Sequence, residues 1–265
     1  MNTVATAIKT QRSIYTYRCQ VMNIIPLSVN TFQIELQSPA GTMLDYYAGQ
    51  YLQIDLDLNS DLHIKNDTQS HPLFYSIANK FNPEKPRRLV IFIQNSSEFV
   101  AAILKKFSQL SENKAEIQVT LPMGRAYLQT DLSLTHLLIA AGSGISKIKC
   151  LTEEILKQQP DADVNIYWSN KNADEFYLLD EFQAWVDKHN NLNFIPLLES
   201  ANETWLGRSG YIYELLERDF KDLNSVQTYL CGSPKMVYGT IDKLKSIGLK
   251  EDNCYSDVFE YAARK

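Results

Sequence analysis

A glycine-containing segment in the middle of the chain has the residue pattern of a phosphate-binding turn. Gly142-Ser143-Gly144 follows an apolar run at 137–141 and precedes a helix-period pattern, so the sequence predicts a buried strand, a tight turn and a helix. Glycine lets the backbone bend and approach a ligand, and unpaired N–H groups at a helix start favour an anion. However, Lys147 occupies the place of the third glycine in the G-x-G-x-x-G dinucleotide pattern, so an ordinary turn is the alternative.

A second glycine turn follows another apolar run, at 228–231. Cys231-Gly232-Ser233-Pro234 places a thiol at the predicted carboxyl end of a strand, where it can contact a ligand. The alternative is that Cys231 is a small buried apolar residue. Two glycine turns at two strand ends of one sheet favour a ligand site more strongly than either turn alone.

The segment 72–79, PLFYSIAN, combines aromatic side chains with a hydroxyl. Phe74, Tyr75 and Ser76 on a strand are suited to contact a flat aromatic cofactor through backbone hydrogen bonds and one polar side chain. The alternative is packing within the core or across strands.

Composition excludes several functional classes. A net charge of -5 and a pI near 5.5 argue against nucleic acid as the main partner. No segment approaches the ~20 apolar residues of a membrane span, and the N-terminus lacks the pattern of a secretion signal. The four cysteines have no spacing typical of a zinc or iron–sulfur site, so no metal is expected and a reducing, cytoplasmic location is predicted.

Hydrolase and nucleoside triphosphate motifs are absent from the sequence. There is no G-x-S-x-G, since the nearest segment, GRSG at 207–210, has the wrong spacing. The four histidines show no H-x-x-x-H pairing, and there is no P-loop.

The pattern of predicted strands and helices changes along the sequence and divides the chain into two domains. Short strands with turn residues between them predict a small antiparallel β-barrel at 13–131, after a tail at 1–12, with a polar loop at 59–70. From residue 132 to 265, apolar strands alternate with helical patterns, which predicts an α/β domain with a parallel sheet. The boundary is expected near residues 129–133.

The order of motifs resembles that of the ferredoxin–NADP reductase superfamily, and within it the NAD(P)H:flavin oxidoreductases, including luciferase-associated flavin reductases. The resemblance covers about residues 14–261 and rests on segments in the same order: AGQY at 48–51, FYSIA at 74–78, PMGRAYL at 122–128, AAGSGI at 140–145, IYW at 166–168, WLGRSG at 205–210 and CGSPKMV at 231–237.

The resemblance implies that the barrel has six antiparallel strands and binds flavin, and that the α/β domain binds NAD(P)H. It also implies an NAD(P)H-dependent flavin reductase that moves a hydride from the nicotinamide to the flavin N5. The reduced flavin would pass to an acceptor such as a monooxygenase or a ferric chelate. It implies catalytic roles for Ser76, near the flavin N5, and Cys231, near the nicotinamide C4. The flavin-binding residues would be Phe74, Tyr75, Ser76, Ile77, Phe92, Gln94, Phe259 and Tyr261. The residues binding NADPH or NADH would be Gly142, Ser143, Gly144, Ile145, Ser146, Lys171, Cys231, Gly232, Pro234 and Met236.

One position departs from the family pattern. Leu73 stands where the family has an arginine that holds a flavin phosphate, which favours FAD, FMN or riboflavin bound as a substrate or loosely. One alternative is a reductase with bound FAD or FMN that passes electrons to a separate iron–sulfur or oxygenase partner. Another is a non-catalytic regulatory subunit that binds flavin or nucleotide. Lys171 is a candidate contact for a 2′-phosphate, which favours dual or NADPH use.

Overall fold

The computed structural model describes residues 12–56, 71–129, 131–201 and 205–264. Two six-stranded sheets form the protein, one antiparallel and one parallel, as the sequence predicts. The predicted boundary at 129–133 lies between the last strand of the first sheet and the first strand of the second. The predicted loop at 59–70 and all but the last residue of the predicted tail lie outside the described residues.

The first sheet forms a nearly closed barrel. Its elements are β1 (Tyr15–Pro26), β2 (Thr31–Gln37), β3 (Tyr51–Leu56), β4 (His71–Ser76), β5 (Arg88–Gln94), α1 (Glu98–Glu112) and β6 (Glu116–Met123). The strands pair in the order β4-β3-β6-β1-β2-β5, all antiparallel. The two edge strands meet just beyond β4, where the Ala78 N–H donates to the Val90 carbonyl at 2.8 Å. This closure confirms the predicted barrel.

The burial of β5 explains why its sequence does not alternate. Leu89, Ile91 and Ile93 pack inside the barrel, whereas Val90 and Phe92 belong to the core cluster of the second sheet. Both faces of the strand are therefore covered, and a strand covered on both faces is apolar throughout. The strand β5 joins the two domains through apolar contact.

The second sheet is parallel, with helices between its strands. Its elements are β7 (Thr135–Ala141), α2 (Ile145–Gln158), β8 (Val164–Asn170), α3 (Leu179–Val186), β9 (Leu192–Leu198), β10 (Arg208–Ser209), α4 (Ile212–Asp219), β11 (Val226–Cys231), α5 (Pro234–Leu244), β12 (Cys254–Tyr255) and α6 (Val258–Tyr261). The order β10-β9-β8-β7-β11-β12 reverses direction between β7 and β11. Ligands bind beyond the carboxyl ends of strands at such a reversal.

Several predicted boundaries differ from the structure by one to three residues. The strand predicted within the segment 72–79 is β4 at His71–Ser76, and the strand predicted at 228–231 begins two residues earlier as β11. The two-residue strands β10 and β12 and the short helix α6 were not predicted, because segments of this length carry no detectable periodicity. Within the described ranges, every helix is too short or too polar to cross a membrane.

Candidate functional site

A cavity of about 680 Å³ lies between the barrel and the parallel sheet, at the carboxyl ends of β7 and β11. This volume lies within the range of ~300–1,000 Å³ found for small-molecule sites. Twelve of the predicted site residues line it: Phe74, Tyr75, Ser76, Phe92, Gln94, Gly142, Ser143, Gly144, Ser146, Cys231, Gly232 and Tyr261. A second cavity, of about 470 Å³, also lies between the domains, but none of the predicted residues lines it.

Ser76 and Cys231 meet in the first cavity, although they come from different domains. Ser76 is the last residue of β4 and Cys231 the last residue of β11, and both side chains line this cavity, where the Ser76 hydroxyl helps to lower the pKa of the Cys231 thiol. Burial raises the pKa of the Cys231 thiol to about 11, opposed in part by the nearby Lys147 ammonium. The thiol is therefore protonated at neutral pH and is not a thiolate nucleophile. Its available role is contact with a bound ring.

The glycine turn between β7 and α2 is a short 3-10 helix at Gly142–Gly144. Gly142 has a positive φ of 55°, and its carbonyl accepts a hydrogen bond from the Trp168 indole N–H at 2.9 Å. A Cβ on Gly144 would lie 2.3 Å from the Cys231 carbonyl oxygen. The second glycine is therefore required because the turns after β7 and β11 touch there. This contact brings the predicted pyrophosphate turn and the predicted nicotinamide residue to one place.

Aromatic side chains form the barrel wall of the cavity. Phe74 is 54% exposed, and its ring meets the Tyr51 ring edge-on with centroids 6.0 Å apart. From the α/β domain, Tyr261 is 67% exposed and lines the same space. Large exposed aromatic rings that face one cavity are suited to stack on a planar ligand.

The residues present fit a flavin ring better than a flavin phosphate. The described residues lining the cavity include no lysine, arginine or histidine. Leu73 packs against the core inside the barrel, so its side chain offers nothing to a phosphate. Aromatic walls, backbone groups and hydroxyls recognise a ring and its polar edge, whereas a tightly held phosphate calls for a cation.

A buried ion pair at the cavity was not predicted from the sequence. Lys147 is fully buried, and its Nζ lies 2.8 Å from Oδ2 of Asp257, which lines the cavity. The other carboxylate oxygen, Oδ1, is buried and accepts no hydrogen bond from the described residues. The two residues are 110 positions apart, so no local spacing could pair them. The one local sign in the sequence was that a lysine, Lys147, stands at the third glycine position of the G-x-G-x-x-G pattern.

Six predicted site residues do not line the cavity. Ile77 and Ile145 are fully buried in the cores of the barrel and the α/β domain, and Phe259 and Met236 pack against the α/β core. Pro234 begins α5, and Lys171 is exposed just beyond β8. Ile77 and Ile145 each follow a cavity residue directly, and successive residues point in different directions.

Comparisons with known proteins agree with this geometry. The family model described as an oxidoreductase NAD-binding domain matches residues 138–241. A CDP-6-deoxy-L-threo-D-glycero-4-hexulose-3-dehydrase reductase from Yersinia pestis is 27% identical over 248 residues, which cover 92% of this chain and 69% of that protein. An NAD(P)H-flavin reductase from Vibrio harveyi is 24% identical over 250 residues, covering 93% of this chain and 99% of that protein.

A solved structure supports the same architecture. The Amycolatopsis cytochrome P450 reductase superposes with a TM-score of 0.79 at 19% identity, covering 96% of this chain and 72% of that chain. At this identity the likeness concerns the fold. The barrel, the parallel sheet, the cavity between them and the full-length similarity to flavin reductases agree with one another. The matched NAD-binding domain and the full-length similarity to NAD(P)H-flavin reductases therefore agree with the resemblance predicted from the sequence.

Proposed function

We propose that the protein is an NAD(P)H-dependent flavin reductase that transfers a hydride from the nicotinamide to the flavin N5. The observation that carries the proposal is the meeting of Ser76 and Cys231, one from each domain, in the cavity between the two sheets. When bound, the nicotinamide supplies the hydride and the flavin ring accepts it. The protein supplies binding, orientation and exclusion of water.

Each wall of the cavity has a separate task in this proposal. Phe74 and Tyr75 would contact the flavin ring, and the Ser76 hydroxyl would be the hydrogen-bonding group for its N5 edge, since all three residues line the cavity. The turn at Gly142–Gly144 holds the dinucleotide pyrophosphate with backbone N–H groups. Cys231 places its neutral sulfur against the nicotinamide ring. Orientation of this kind accounts for a rate gain of several orders of magnitude.

We propose that the flavin is a substrate and not a tightly held prosthetic group. The lack of a basic side chain among the described cavity residues supports this, and so does the apolar placement of Leu73. FAD, FMN and riboflavin share the ring that the cavity recognises, so all three are expected to be reduced. Reduced flavin would then pass to an acceptor such as a monooxygenase or a ferric chelate.

A reductase with bound flavin and a protein partner is the second candidate. The similarity to a relative named as a dehydrase reductase favours it, although this chain covers 69% of that relative. Protein that keeps a yellow flavin spectrum after gel filtration would support this candidate, whereas colourless protein that oxidises NAD(P)H only with added flavin would support the first.

The test of the proposed reaction is steady-state oxidation of NADH and NADPH with riboflavin, FMN and FAD. In Ser76→Ala, turnover is expected to fall more than flavin affinity, because the hydroxyl acts on orientation at N5. Ser108→Ala is the matched control, since that hydroxyl donates to the Leu104 carbonyl within α1, away from the cavity. Equal turnover in Ser76→Ala would remove the role assigned to Ser76. Absence of oxidation with every flavin would favour a non-catalytic nucleotide-binding subunit.

A cytoplasmic location remains a prediction. All four cysteines are free thiols, and three of them are buried. Free buried thiols accord with a reducing compartment.

A further inference from the structure

A buried glutamate connects the two domains at a distance from the reacting groups. Glu175 follows β8 in a short 3-10 helix of the α/β domain and is 5% exposed. It accepts hydrogen bonds from three side chains of the barrel, two in the turn between β1 and β2 and one at the first residue of β2. The donors are the Ser28 hydroxyl at 3.0 Å, the Asn30 amide at 3.2 Å and the Thr31 hydroxyl at 2.9 Å.

The partners of Glu175 are neutral donors. Among the described residues no cation forms an ion pair with it, so the three hydrogen bonds compensate for its burial. The nearby contact between the domains is apolar, made by residues such as Val90 and Phe92 of β5 against the α/β core. Apolar contact is not directional, whereas hydrogen bonds to one carboxylate fix both distance and angle. Glu175 therefore determines how the β1–β2 turn docks on the α/β domain.

The segment that carries Glu175 reaches the cavity in two short steps. Tyr177, two residues on, meets the ring of Phe92 edge-on at 5.9 Å, and Phe92 lines the cavity. Tyr177 also packs on Trp168 at 5.3 Å. The Trp168 indole holds the carbonyl of Gly142 in the glycine turn. The Glu175 segment thus contacts a wall of the flavin site, which lies on the barrel, and through Trp168 it supports the dinucleotide turn, which lies in its own domain. A change in the docking of the domains would therefore alter the distance between the two sites.

We propose that Glu175 is a positioning residue for hydride transfer, which sets the docking angle of the domains and hence the approach of the nicotinamide to the flavin. The inference rests on the proposed function. Ser76 and Cys231 belong to different domains, so their separation depends on docking. A misplacement of about 1 Å can lower a rate about 100-fold.

The test compares Glu175→Gln and Thr31→Val with a matched control. Glu175→Gln keeps the size of the side chain but replaces one acceptor oxygen by a donor, and Thr31→Val removes one donor. The control is Glu153→Gln, because Glu153 also joins the domains, accepting the Lys80 backbone N–H at 3.1 Å, but it lines the second cavity.

Three measurements separate positioning from stability. The Kd of NADP⁺ measured by calorimetry on flavin-free protein is expected to change less than about 3-fold in every variant, because the dinucleotide turn belongs to one domain. Turnover is expected to fall about 10- to 100-fold in Glu175→Gln and less in Thr31→Val. The kinetic isotope effect with 4-deuterated NADPH is expected to rise in both variants, because hydride transfer becomes rate-limiting, and to stay at the wild-type value in Glu153→Gln.

The outcomes are distinct. A wild-type protein without NAD(P)H oxidation would contradict the proposed function. If the wild type is active, two results would overturn the inference on Glu175. One is that the Glu175 and Thr31 variants keep the wild-type turnover and isotope effect. The other is that Glu153→Gln changes turnover and isotope effect as much as Glu175→Gln does. If Glu175→Gln does not fold, Thr31→Val and Ser28→Ala each remove one hydrogen bond to the same carboxylate, and unchanged isotope effects in both would overturn it as well.

Discussion

The buried pair of Lys147 and Asp257 yields the sharpest prediction on stability. Lys147→Met replaces lysine by an unbranched side chain of similar length that is apolar and has no ammonium group. Asp257 then loses the partner of Oδ2, while its Oδ1 already has no donor among the described residues. The change leaves an unpaired buried carboxylate at the edge of the cavity.

The magnitude follows from the burial of both groups. The Lys147 side chain is 1% exposed and the Asp257 side chain 17%, so solvent offers little compensation. Removing one partner of a buried pair costs about 3–5 kcal/mol, whereas replacing both with apolar residues of similar size is often close to neutral. We therefore expect a loss of about 3–5 kcal/mol in the free energy of unfolding for Lys147→Met. The double variant Lys147→Met/Asp257→Leu is expected to unfold within about 2 kcal/mol of wild type.

The assay is equilibrium unfolding in urea followed by tryptophan fluorescence. All three tryptophans, Trp168, Trp185 and Trp205, lie in the α/β domain that contains both residues of the pair, so the signal reports the affected domain. Lys245→Met is the control, because Lys245 forms an exposed pair with Asp242 that is worth about 0–1 kcal/mol. The reasoning is refuted if Lys147→Met loses no more than this control, or if the double variant is less stable than the single one.

Two further predictions concern the cavity, and a third concerns Lys171, which lies outside it. Gly144→Ala is expected to lose about 1–3 kcal/mol in the free energy of unfolding and much of the turnover, because the new Cβ would meet the Cys231 carbonyl. The control Gly239→Ala on α5 has open space around the new Cβ and should unfold no more easily than wild type. Equal thermal unfolding of the two variants would contradict this prediction. Burial raises the pKa of Cys231 to about 11, so the thiolate appears only as the pH rises toward that value, and alkylation of Cys231 followed by mass spectrometry should accelerate up to about pH 11; a rate that levels off near pH 9 would count against it. Lys171→Ala is expected to lower the ratio of kcat/KM for NADPH over NADH about 10- to 100-fold, the contribution of one hydrogen bond to a charged group, and an unchanged ratio would exclude a contact with the 2′-phosphate.

The sequence was sufficient for the architecture because each domain has its own periodicity. Strands with one buried face alternate, as in β3, where Leu52 and Ile54 are buried and their neighbours partly exposed. The parallel strands are apolar runs, and two of them, β7 and β11, end in glycine turns. These local patterns predicted both sheets.

The sequence was less informative where a contact joins distant positions. The pairing of Lys147 with Asp257 and that of Glu175 with the β1–β2 turn each span more than a hundred residues. The sequence also could not show why position 144 must be glycine. The requirement comes from close contact with the Cys231 backbone and not from local turn geometry. Such contacts depend on how the elements pack and leave no mark in local composition.

The hydrogen bond from Trp168 to the glycine turn has a practical consequence. The indole N–H is held by the Gly142 carbonyl, and the ring is fully buried among Phe176, Tyr177 and Phe182. Indole emission depends on the electric field around the ring, and under the proposed function a pyrophosphate on this turn would bring two negative charges close to it. The described part of the barrel contains no tryptophan that would add to the signal. The proposed nucleotide site would thus have an intrinsic optical reporter of its occupancy, which needs no label and no turnover.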